Sequence, residues 1–314
     1  MKKRILVVSS ANMDFVMKVG RIPVAGESMI ESRSYQYVPG GKGANSALAF
    51  ARLGGESVFC TRLGKDANGT VLRELYDNSG IDTRYIVEDA VQPTGLAVIM
   101  VEDEGANRII VYPGANGAVC RADVEAALAC QPDAVFMQLE IGKEAIFDTA
   151  ELAAARGIPV FVDAGPASAD FPLNRLTGLT VLSPNETETE IFTGISPDTE
   201  ADCVAAAKKL AGMSEARYVV IKLGGRGAYI WDVAAERGET VPSYKTDVVD
   251  TTAAGDAFTA GLTLEYLRSG DIRRAVRYGN VVGAITVSRA GASTSIPTAD
   301  EVDALIAARN IELG

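Results

Sequence analysis

Histidine is absent from all 314 residues. That one absence removes His general bases, Ser-His-Asp triads and H-E-x-x-H zinc sites together. Acid–base chemistry therefore falls to carboxylates, lysine, tyrosine or cysteine. Cysteine is scarce too: Cys60, Cys120, Cys130 and Cys203 lie far apart with no C-x-x-C pair, the pattern of free thiols in a reducing compartment. No stretch approaches the ~20 apolar residues that a membrane span requires. The run Ile5–Val8 after Met1-Lys2-Lys3-Arg4 is too short for a signal peptide, and Asn12 and Asp14 follow at once. It reads as a buried first strand, and the expected location is the cytoplasm, away from membranes. Basic residues are outnumbered, 30 Lys and Arg against 41 Asp and Glu, for a net charge of −11. A nucleic-acid partner is not expected of such a surface.

Apolar residues make up 47% of the chain, enough at this length to bury roughly three quarters of the unfolded surface. Short β-branched runs at 4–9, 57–61, 134–138, 159–163, 179–183 and 218–223 read as strands. Ala/Leu-rich stretches at 43–53, 67–78, 121–129, 143–156, 186–193, 199–211, 254–268, 271–289 and 298–309 read as helices. This alternation predicts an α/β fold whose mainly parallel sheet is covered on both faces. Residues 29–38 and the hairpin pattern at 96–112 interrupt it and predict a small β lid. The 96–101 strand is apolar on both faces, so both must be covered.

Several segments carry candidate chemistry. Ala253-Ala254-Gly255-Asp256 opens a helix. Small residues there let backbone N–H groups approach an anion, aided by the helix dipole. Asp256 would face a phosphate held there, a repulsive placement that makes sense for a group accepting a proton from an attacking hydroxyl. The alternative is an ordinary acidic first-turn residue. Pro39-Gly40-Gly41-Lys42-Gly43-Ala44-Asn45 is neither a Walker A loop nor G-x-G-x-x-G, and by itself fits a Gly-rich strand-to-helix turn. Asn12 and Asp14 read as a turn leaving the first strand, although amides and carboxylates suit paired sugar hydroxyls. Glu140 follows a strand at the edge where α/β ligands bind, or lies in a solvated loop. Asn185 and Glu188 have capping-box spacing. Lys222-Leu223-Gly224-Gly225-Arg226-Gly227 fits a nucleotide-edge loop or a hairpin turn.

Asp250-Thr251-Thr252-Ala253-Ala254-Gly255-Asp256 with Phe258 resembles the signature of the ribokinase, or PfkB, family of carbohydrate kinases. Ala253 stands where relatives often carry Gly; both are small. Gly40-Gly41-Lys42-Gly43-Ala44-Asn45, the N-x-D of Asn12 and Asp14, and the N-x-x-E of Asn185 and Glu188 resemble further family motifs, in the family's order. The resemblance runs from Asn12 to Ser295. It implies a three-layer α/β/α fold, residues 1–314 as one kinase domain, and a lid from about 12–38 and 95–113. It implies ATP-dependent phosphorylation of the O5 hydroxyl of D-ribose to ribose 5-phosphate. Asp256 would be the base and Ala253, Ala254 and Gly255 the anion hole. Asn12, Asp14, Gly40, Gly41, Lys42, Asn45 and Glu140 would bind the sugar. Asn185, Lys222, Gly224, Gly227, Gly255 and Asn280 would bind the nucleotide. Glu188 would hold Mg²⁺ through water, and K⁺ would sit among Asp250, Thr252, Thr286, Arg289, Gly291 and Ser295. A homodimer through the lid is expected.

Rivals within the family are deoxyribose, fructose and nucleoside kinases. Gly41-Lys42-Gly43 argues against the last two, which usually carry other residues after the paired glycines. A non-catalytic sugar sensor would not need Asp256 beside the 253–255 turn.

Overall fold

A computed structural model describes residues 2–30, 33–103 and 106–314. Glu31 and Ser32 of the expected strand at 29–38, and Glu104 and Gly105 of the expected hairpin turn, lie outside the described residues. In chain order the elements are β1 (Arg4–Val8), β2 (Asn12–Val19), β3 (Ser34–Gly40), α1 (Lys42–Arg52), β4 (Glu56–Gly64) and α2 (Ala67–Asn78). There follow β5 (Ile86–Asp89), β6 (Gly95–Glu102), β7 (Asn107–Tyr112), α3 (Arg121–Ala127), β8 (Ala134–Met137), α4 (Lys143–Ala154) and β9 (Val160–Asp163). Then come β10 (Leu179–Ser183), α5 (Glu186–Thr193), α6 (Glu200–Met213), β11 (Tyr218–Lys222), β12 (Ala228–Asp232) and β13 (Arg237–Val241). The last three are α7 (Ala254–Ser269), α8 (Ile272–Val287) and α9 (Ala299–Ala308).

Nine strands form one sheet in the order β13-β12-β11-β10-β9-β8-β1-β4-β5, parallel from β11 to β5, with β12 pairing antiparallel to both β11 and the edge strand β13. β1 shows why: its residues are apolar on both faces, as a doubly covered strand requires. Ile5 and Val7 enter a core shared with α1, α7 and α8, whereas Leu6 and Val8 enter one shared with α3, α4 and α6. Helices thus cover both faces of the sheet. Side-chain caps start several of them, among them Asp66 on Gly69 before α2 and the Thr199–Asp202 capping box before α6.

Four strands make a second sheet, β3-β2-β6-β7. The expected hairpin at 96–112 is present as antiparallel β6 and β7. Asn12 and Asp14, read as a turn after the first strand, instead begin β2, which runs parallel to β6. Register puts Asp14, Val38, Ala97 and Val111 on one face of this sheet and Phe15, Tyr37, Val98 and Ile110 on the other. Among the described residues no helix is long and apolar enough to cross a membrane.

Candidate active site

The carboxyl ends of β1, β8, β9 and β11 converge with the start of α7, the edge where ligands bind in open α/β sheets. Two constraints shape the turn between β3 and α1. A Cβ on Gly40 would lie 2.1 Å from an Asp14 carboxylate oxygen. Gly41 has φ +91 and backs onto the Asn12 backbone nitrogen, 2.8 Å from where its Cβ would be. A side chain at Gly40 would displace the Asp14 carboxylate and one at Gly41 would displace the Ala11–Asn12 backbone, so the paired glycines seat the start of α1 against the junction of β1 and β2. That seating brings Lys42 and Asn45 to Asp256.

Asp256 is buried in the first turn of α7. Asn45 donates its Nδ2 to one carboxylate oxygen at 3.0 Å, and Gln138 donates Nε2 to the other at 3.3 Å. Burial pushes the carboxyl up to about 6, with Asp163 adding repulsion, while Lys42, the Asn45 bond and Lys222 pull it down. An acid that merely complements a helix dipole needs neither burial nor two amide donors. Lys42 is half-buried, and its ammonium is held above the ordinary lysine value, first by Asp256 and then by Asp163, Glu188 and Glu140.

The sugar-side residues of the sequence reading assemble around this pair. Glu140 accepts the Lys42 N–H at 3.0 Å and the Ser10 hydroxyl. Asp14 is pushed up to about 7 by burial and by the charge of Glu140. Asn12 accepts a hydrogen bond from Asn116 at 2.7 Å. Asn45 keeps its Oδ1 buried with no partner among the described residues.

A cleft of about 1020 Å³ opens on the other side of the 253–255 turn. Lys222, Gly224, Gly227, Gly255 and Asn280 all line it. The 222–227 segment is a hairpin turn, between β11 and antiparallel β12, and also a wall of the cleft. Asn185 is not among the lining residues. It caps α5, accepting the Glu188 N–H at 2.8 Å and donating its own N–H to Glu188 at 2.8 Å. The other Glu188 oxygen lies 2.2 Å from the position of a Cβ on Gly165, so glycine there leaves that oxygen uncovered. Asp250 accepts from the Thr252 N–H and hydroxyl and from the Gly291 N–H, at 2.9, 2.6 and 2.9 Å, and donates its own N–H to the Val287 carbonyl. The 250–252 and 286–295 segments thus meet behind the turn.

Three residues of the network escaped the sequence reading: Asn116, Gln138 and Asp163. Asn116 clamps Ala11 through both backbone groups, at 2.9 and 3.1 Å. Asp163 and Gln138 sit at or just past the ends of β9 and β8, the same strand-end signal that singled out Glu140.

The pfkB family carbohydrate kinase model matches residues 2–299. The chain belongs to the pfkB family. It is 33% identical over 306 residues to a ribokinase of Staphylococcus aureus, covering 96% of this chain and 99% of that one. To a deoxyribokinase of Salmonella typhi it is 30% identical over 305 residues, covering 95% and 96%. It spans 55% of the length of a bifunctional ribokinase/ribose-5-phosphate isomerase A of Fructilactobacillus sanfranciscensis, at 33% identity over 303 residues and 96% of this chain. The fold matches that of Arabidopsis thaliana ribokinase complexed with ribose and ATP, with TM-score 0.89, 31% identity and coverage of 98% and 99%. This chain is therefore a sugar kinase of the ribokinase group.

Proposed function

We propose that the chain transfers the γ-phosphoryl group of ATP to the O5 hydroxyl of D-ribose. The observation that carries this is Asp256, a buried carboxylate between the polar cluster of Lys42, Asn45 and Glu140 and the Gly255-lined cleft. The nucleotide lies in the cleft and the sugar lies under the lid. There Asn12, Asp14, Lys42, Glu140 and the unpaired Asn45 oxygen supply partners for its hydroxyls. Asp256 takes the O5 proton as that oxygen attacks the γ-phosphorus; the O5–P bond forms and the bond to the β-phosphate oxygen breaks, releasing ADP. The N–H groups of the 253–255 turn lie outside the helical ladder and receive the developing charge. A carboxyl at about 6 is ionised at neutral pH yet still basic enough to accept a proton.

Two ions suit the residues present. Mg²⁺ binds through few protein groups and several waters; Glu188, with one oxygen uncovered beside Gly165, would hold it, and it would neutralise phosphate charge. The carboxylate, carbonyl and hydroxyl oxygens of Asp250, Thr252, Thr286, Arg289, Gly291 and Ser295 are hard donors suited to K⁺, which would fix the shape of the anion turn. The outward lid face bearing Tyr37 and Ile110, 59% and 65% exposed, is covered by a second copy in a homodimer. The whole chain acts as one kinase domain in the cytoplasm.

Deoxyribose is the second reading, favoured by the deoxyribokinase relative. ADP release measured across ribose, deoxyribose, fructose and nucleosides, in potassium and in a large organic cation at matched ionic strength, tests the proposal. The expected result is fastest turnover with ribose, loss of rate on chelating divalent cations, and a slower rate without potassium. Faster turnover of deoxyribose overturns the sugar assignment, and equal rates in both cations remove the potassium role.

A further inference from the structure

Asp163 does not itself line the nucleotide cleft, yet it is only 2% exposed and its carboxylate accepts two hydrogen bonds. Its Oδ1 accepts the Lys222 ammonium at 2.6 Å, and its Oδ2 accepts the Thr259 hydroxyl at 2.7 Å. Thr259 lies one turn along α7 and also donates to the Gly255 carbonyl at 3.0 Å. The Lys222 ammonium stands 3.6 Å from the position of a Cβ on Gly255, at the anion turn, and lines the nucleotide cleft. A buried ion pair is a poor stabilising device, since desolvation cancels much of its attraction. Here the pair is placed where negative charge moves during phosphoryl transfer.

We infer that Lys222 is a catalytic cation for the transferring phosphoryl group, and that Asp163 is the positioning residue that aims it. Lys222 contacts phosphate oxygens from the β11 side while Asp163, fixed by Thr259, holds its ammonium at the turn. This rests on the reading of Asp256 as base and adds a second function to the cluster. Asp256 is faced by Lys42 from α1, Lys222 from β11 and Asp163 from β9, with the amides of Asn45 and Gln138 completing its surroundings. Removing the Asp163 charge withdraws a carboxylate that raises Asp256, and removing the Lys222 charge withdraws a cation that lowers it.

The test is a double-mutant cycle of Asp163→Asn and Lys222→Met, with kcat against pH, the KM values for ATP and sugar, and thermal midpoints. Lys222→Met should lower kcat by roughly 10- to 100-fold, as loss of a charge-assisted contact in the transition state does. It should leave the sugar KM unchanged and move the acid limb of kcat to higher pH. Asp163→Asn should lower kcat and move that limb the opposite way. The double variant should be no slower than Lys222→Met alone. Multiplicative losses in the cycle, or an Asp163→Asn variant that only melts earlier with the limb in place, overturn the inference. Failure of the Asp256 reading shows itself separately, as a wild-type profile without an acid limb.

Discussion

At the scale of single residues, the site depends on charges that burial makes strong. Asp256 sits at about 6 because desolvation and Asp163 raise it while Lys42 and Lys222 lower it. A base must be ionised to accept a proton, so kcat should rise as pH climbs through about 6 and level off above. Lys42 is the largest of the influences that hold this value down. Lys42→Met should therefore move the acid limb to higher pH as well as weaken sugar binding. A limb that stays in place in this variant would separate Lys42 from the base. The missed residues Gln138 and Asp163 belong to this scale. In sequence each is one polar residue after an apolar run, and only the packing of neighbouring strand ends and of α1 and α7 against them gives it partners.

Elements were more legible than contacts. The central parallel strands and all nine foreseen helices could be read because a doubly covered strand is apolar throughout and a helix repeats its apolar face. β5, with four residues, and β13, Arg-Gly-Glu-Thr-Val, have too little pattern to stand out. β12 was hidden behind the glycine-rich turn that precedes it. Asn12 and Asp14 by themselves read as a turn because both are turn formers, and pairing of β2 with β3 and β6 outweighs that preference within the lid that the family resemblance places from about residue 12. The start of α7 shows a subtler gap. Ala253 is only a methyl group larger than Gly, but it adopts φ +61, where an L-residue pays roughly 1–2 kcal/mol. Gly at this position loses about 0.4–1 kcal/mol through the freer unfolded chain. Ala253→Gly should thus raise the thermal midpoint slightly with kcat unchanged. A clear drop in midpoint would mean that the alanine methyl contributes packing that outweighs the strain.

On the scale of the whole molecule, the proposed dimer rests on the small sheet. One of its faces carries Asp14, and the other carries Tyr35, Tyr37, Ile110 and Tyr112, all largely exposed in the single chain. A contiguous aromatic and aliphatic face on a projecting sheet is the kind of surface that a second copy covers. Light scattering at micromolar concentration should give twice the chain mass of 33.0 kDa, and Ile110→Lys should halve it. A monomeric, fully active wild-type chain would remove the dimer.

The most direct test of the central claim is kcat of Asp256→Asn beside equilibrium binding of both substrates. Asparagine keeps the shape and the hydrogen bonding but cannot take a proton. The expected result is a loss of roughly 10²–10⁴-fold in kcat, or about 2.7–5.5 kcal/mol of barrier. Sugar affinity should persist, and ATP should bind as well or slightly better once the carboxylate facing its phosphates is neutral. A variant that turns over within tenfold of wild type would contradict the account and leave Asp256 a partner of the helix dipole alone.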